Sequence, residues 1–142
     1  MKTLLFLLTV WGLLGLMQCS KKDAEQLTLN DTIKLESKKS TTVKAADSNV
    51  QFTVSGISDS RCPANLQCIW AGEATVDVEL RDAIGAVQNA SLCLGDCRGK
   101  NDSATVVLNT IPHWLTLLAV EPGPAATGTS SAQTASLRLT RQ

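Results

Sequence analysis

The sequence predicts an all-β protein: a single antiparallel β-sandwich of about eight strands, with a small β-barrel as the alternative. Three observations predict it. Beyond Asp31 the apolar residues recur with period two, as in Val50, Phe52 and Val54 against Gln51, Thr53 and Ser55. After the N-terminal leader no segment keeps helical periodicity for three turns. Clusters of Gly, Pro, Asn, Asp and Ser separate the alternating runs, as turns between short strands do.

In chain order, the leader comes first. Met1-Lys2 precedes an apolar run from Leu4 to Met17 broken only by Thr9. That run suits a signal peptide and falls short of the roughly 20 residues a membrane-spanning helix needs. It ends in "LMQCSKKD", where a Leu three residues before a Cys resembles the lipobox of bacterial lipoproteins, although Gln18 stands where a small residue is usual. The resemblance implies that Cys19 is lipidated and becomes the mature N-terminus. The alternative, a freely secreted protein, asks for an A-x-A-like site, and none lies near the end of the run. The expected boundaries are a lipoprotein signal peptide over 1–18, a flexible polar tether over 19–31 and the sandwich domain over 32–142. Localisation follows as the bacterial cell envelope, with the chain exported and anchored in a membrane through its lipid. The Lys-Lys-Asp-x-Glu run after Cys19 loosely resembles signals that send some lipoproteins to the cell surface.

Within the domain, strands are expected over 32–36, 41–44, 50–55, 74–81, 87–94, 104–109, 114–121 and 135–141. "WLTLLAVEP" is apolar on both faces for most of its length, which suits a central strand. The stretch "EPGPAATGTSSAQ" before the last strand is longer than a hairpin requires. The segment 56–73 is then the connection between two strands, and it holds the unusual chemistry of the chain: "DSRCPANLQCIWAGEA".

Cysteine usage bears on that segment. Setting Cys19 aside, Cys62, Cys68, Cys93 and Cys97 remain, an even number in an exported chain, which reads as two disulfides. Three connectivities are open, and the local pairs Cys62–Cys68 and Cys93–Cys97 are each short enough to close across a turn. Zinc would need two knuckle-spaced pairs, and only C-x3-C fits. A thioredoxin-like centre would need C-x-x-C at a helix N-terminus. No metal or cofactor is expected.

A Cys62–Cys68 ring would remove roughly 2 kcal/mol of unfolded-state entropy, and Pro63 would fix one φ inside it. Ile69 and Trp70 are expected to bury against the sheet as apolar ballast in a chain with 4% aromatics. Gly72 would permit the turn into the next strand. Arg61, Asn65 and Gln67 are expected to point outward as candidate partner contacts. Arginine is common in binding hot spots, although Arg61 could instead pair with Asp59 or a carbonyl and shape the turn. The Asp-Ser-Arg-Cys-Pro-x4-Cys-x-Trp-x-Gly pattern resembles a motif of uncharacterised exported bacterial proteins and lipoproteins. That resemblance covers about 50–122 and implies no known activity.

Function classes narrow by elimination. Lys and Arg number 13, as do Asp and Glu, and loss of Lys2 with the leader leaves about −1, so no field steers nucleic acid to the chain. The one histidine, His113, starts the most apolar strand, which suits a structural role better than a general base. Ser60 beside Asp59 lacks a Gly-x-Ser-x-Gly elbow and reads as a turn residue. The catalytic set is empty, and no enzyme is expected. The expected function is a lipid-anchored envelope binding or structural module, its partners a membrane and an envelope protein. The alternative is an inhibitor of a protease or cell-wall hydrolase carried on the disulfide-stiffened loop.

Overall fold

The computed structural model describes residues 26–45, 48–126 and 131–142. The leader, Cys19 and most of the tether lie outside them. Among the described residues nine strands form: β1 Leu27–Thr28, β2 Thr32–Glu36, β3 Lys39–Ala45, β4 Ser48–Asp59, β5 Glu73–Arg81, β6 Val87–Gly95, β7 Ser103–Leu108, β8 Ile111–Glu121 and β9 Thr134–Arg141. They make two sheets, β1-β3-β4-β5-β6 and β2-β9-β8-β7. Every pairing is antiparallel except β1 with β3. The fold is an all-β sandwich.

The period-two pattern decides which faces meet. Val50, Phe52 and Val54 of β4 and Val76, Val78 and Leu80 of β5 are buried. From the other sheet Ile33, Leu115, Leu117, Leu137 and Leu139 close over them. Two strands carry an extra residue that re-phases the alternation. β4 shifts register between Val54 and Gly56, and β8 shifts between Leu117 and Ala119. Such bulges insert one unpaired residue and bend the strand. The shift in β8 explains its doubled leucines: Leu117 faces the core, Leu118 is exposed, and Val120 returns inward. β8 does lie inside its sheet, between β9 and β7. Its apolar run comes from this re-phasing, because Trp114 and Leu118 of its outer face remain exposed.

Two expectations are corrected. β4 continues past the bulge to Asp59 and β5 begins at Glu73, so the connection is 60–72 rather than 56–73. Leu27 and Thr28, assigned from sequence to the flexible tether, pair with Val43 and Lys44. Leu27 and Leu29 also pack on the core, which a purely polar reading of 19–31 overlooks. The lateral edge of β7 is closed by a side chain: the Gln88 carboxamide accepts from Val107 N at 3.0 Å and donates to Val107 O, standing in for a neighbouring strand.

At one end of the sandwich the β4–β5 and β6–β7 connections lie together, beside Pro122 and Gln133 at the ends of the β8–β9 connection. The other end carries tight turns. The β7–β8 hairpin turns on Asn109 and Thr110, both at positive φ, as a two-residue turn matched to strand twist requires. Asp82 Oδ1 accepts from Ile84 N and Ala86 N to hold the β5–β6 turn.

Removing the largest fully buried side chain, Phe52, tests this core. Phe52→Ala is expected to cost roughly 3 to 5 kcal/mol in urea denaturation, whereas Trp114→Ala on the outer face costs about 1 kcal/mol or less. Equal losses would contradict the assignment of faces.

Candidate functional site

The β4–β5 connection is built as a continuation of the ladder. Beyond Asp59, Ser60 N donates to Glu73 O at 2.8 Å and Cys62 N donates to Ala71 O at 2.8 Å. The Ser60 hydroxyl also turns back onto Glu73 O at 3.0 Å. The two chains can approach this closely because residue 72 is glycine. Its φ is +71°, and a Cβ there would lie 2.0 Å from the Ser60 carbonyl oxygen. A second glycine stacks on the first, since a Cβ on Gly95 would stand 2.6 Å from Gly72 O, whose other contact is Asp96 N at 3.0 Å. The loops after β4 and β6 are thereby fixed side by side.

A buried carboxylate joins this pair to the opposite sheet. The side chain of Asp59 is 2% exposed. It accepts two hydrogen bonds from the Arg61 guanidinium, from Nε at 2.8 Å and Nη2 at 2.6 Å, and one from Arg61 N at 3.1 Å. Gln133 Nε2 adds a fourth at 2.7 Å. Arg61 Nη2 also donates to Val120 O at 2.7 Å, and Gln133 to Pro122 O at 3.0 Å. Burial alone pushes the Asp59 carboxyl up, and the hydrogen bonds from Arg61 and Gln133 together with the guanidinium charge outweigh it, so its pKa lies below the usual carboxylate value. The same pairing raises that of Arg61.

Two disulfides stiffen what projects from this base. Cys62–Cys68 closes the ring at the tip of the β4–β5 loop, and Cys93–Cys97 closes the turn after β6. Leu66 N donates to Pro63 O at 3.0 Å across the ring. The outer surface of this tip is apolar: Ile69 is 100% exposed, Trp70 67% and Leu66 53%. The Arg98 guanidinium sits over the Trp70 ring, 5.5 Å from its centroid. Lys100 Nζ pairs with Glu73 Oε1 at 2.8 Å. Trp70, Glu73, Arg98 and Lys100, with Ser60 and Asp96, line a cleft of about 440 Å³ between the two loops.

The sequence-based candidates divide accordingly. The cysteines pair as expected. Asn65 and Gln67 are exposed on the ring, as expected. Arg61 does not point outward; it is committed to Asp59 and Val120 and shapes the turn. Trp70 and Ile69 are not ballast, because the ladder ends at the Cys62–Ala71 contact and the residues beyond it have no sheet to lie on. Leu66, Arg98 and Lys100 were missed. The adjacency of Ile69 and Trp70 to Cys68, outside any alternating run, was the available signal for an exposed pair. His113 lies at the other end, buried, with Nδ1 2.9 Å from Ile111 O. Other exposed large apolar residues, such as Ile84, Val107 and Leu118, are spread over the remaining surface, as on most monomers. Compared with protein-family models, curated proteins and solved structures, the chain matches none of them.

The Asp59 clasp gives a pH-dependent expectation. A carboxyl with a lowered folded pKa contributes stability that is complete above its unfolded value and is lost as pH falls through the folded one. Arg61→Ala should cost roughly 3 kcal/mol at pH 7, the lower end for a broken buried pair because Arg61 keeps about a quarter of its side chain in water. The gap between wild type and variant, read from urea denaturation, should narrow below about pH 4 as Asp59 protonates. A gap that stays constant with pH would remove Asp59 ionisation from the account.

Proposed function

We propose that the protein is an exported binding module, held at the bacterial envelope by a lipid on Cys19, that engages its partner with the apolar tip formed by Leu66, Ile69 and Trp70. The carrying observation is that these residues are exposed on a loop whose backbone is fixed by a ladder, a disulfide and a buried ion pair. An immobilised loop loses little entropy on binding, so its apolar contacts convert more fully into affinity. Tryptophan in such a position is the residue most often found to dominate binding energy. Asn65 and Gln67 supply a polar rim. Two disulfides fit an oxidising compartment, and the lipobox-like leader fits membrane attachment. A second reading, an inhibitor of a protease or cell-wall hydrolase, is favoured by the same projecting ring, which suits insertion into a cleft.

Replacing Leu66, Ile69 and Trp70 together with serine should leave the melting temperature nearly unchanged while abolishing crosslinking to envelope partners. Crosslinking that survives the triple change with the fold intact would reject the tip. Inhibition of a purified hydrolase by wild type, lost in the same variant, would select the inhibitor reading. Separately, Cys19→Ala is expected to move the protein from the membrane fraction to the soluble one, since stable anchoring needs the lipid chains. A variant that still sediments with membranes would exclude the lipid.

A further inference from the structure

We infer that the cleft beside Trp70 is a binding site for a neutral glycan, taking one or two sugar rings against the indole. The inference deepens the reading of this end of the sandwich as a binding surface and rests on it. Three features carry it. The first is the charge of the lining. Glu73 and Asp96 contribute two carboxylates, Arg98 and Lys100 two cations, and they cancel. Such a lining neither concentrates anions, as a phosphate site does, nor cations. It presents donors and acceptors at close range, the 2.8 Å Glu73–Lys100 pair above all. Vicinal hydroxyls, each both donor and acceptor, are the groups that bridge such a pair.

The second feature is the indole. An apolar contact alone would be served by any aliphatic side chain, whereas a flat ring at the rim of a polar cleft matches the C–H face of a sugar. The Arg98 guanidinium lies over one face of Trp70 in a cation–π contact. With 67% of the residue still exposed, the ring retains surface for a ligand. The third is size and rigidity. A volume of about 440 Å³ lies within the ordinary range for small-ligand sites. The walls are the two loops fixed to each other by the Gly72–Gly95 approach and the Asp96 N to Gly72 O bond. The cleft therefore exists before the ligand arrives.

The test is saturation-transfer NMR on the full chain with N,N′-diacetylchitobiose, maltose and cellobiose as probes at millimolar concentration. At least one should bind, with saturation strongest on protons of one sugar face. Trp70→Ala should weaken it at least about tenfold, and Glu73→Gln should weaken it measurably, both without change in melting temperature. Inorganic phosphate and glycine betaine should not displace it. Binding of none of the three sugars, binding indifferent to Trp70→Ala, or displacement by phosphate or betaine would overturn the inference. If no sugar binds but partner crosslinking still depends on Leu66 and Ile69, the glycan falls while the binding tip stands.

Discussion

One buried carboxylate holds one end of this protein together. Asp59 ends β4 in the first sheet, yet through Arg61 and Gln133 it reaches Val120 and Pro122 at the end of β8 in the second. Sandwich sheets are joined mainly by apolar packing, which resists separation but does not fix the loops at the rim. The clasp fixes them with directional, charge-assisted bonds. Its geometry accounts for the order of residues at the start of the loop. Asp59 must close the strand, Ser60 must continue the ladder, and Arg61, two residues from Asp59, turns its side chain back across the carboxylate. Cys62 can then open the ring from a point that no longer moves.

Once those groups are satisfied, what remains unsatisfied is apolar. Among the described residues no buried side-chain nitrogen or oxygen lacks a partner. Leu66, Ile69 and Trp70 by contrast hold their surface in water, an arrangement that costs stability at about 25 cal/mol per Å² of exposed apolar area relative to burying it. A chain with few aromatics leaves Trp70 two-thirds exposed, on a loop held by a ladder, a disulfide and a buried ion pair. That placement is the physical basis for reading the loop as a binding surface.

Much of the fold was legible from sequence because a half-buried strand records its environment in its alternation. Thr32–Glu36 matches its expected bounds, and the other strands differ by a few residues at their ends. The bulges were hidden: one inserted residue shifts the phase, so β4 beyond Val54 looked like loop, and Leu117-Leu118 looked like burial on both faces. The local disulfides were legible from spacing. For Arg61 the sequence offered both an outward contact and a pairing with Asp59 or a carbonyl, and the structure takes the second; which of the two applies, and the exposure of Trp70, were not legible, for a common reason. Outside a regular element a residue's direction is set in part by contacts with distant chain, here Val120 for Arg61 and Arg98 for Trp70. No local pattern encodes those contacts.

The central claim is that the apolar tip is stiff in the free protein. Backbone ¹⁵N relaxation reports this residue by residue. The amides of Leu66, Ile69 and Trp70 should have order parameters near 0.85, like the strands that carry them. Values below about 0.6 at these residues would describe a flexible loop and contradict the account.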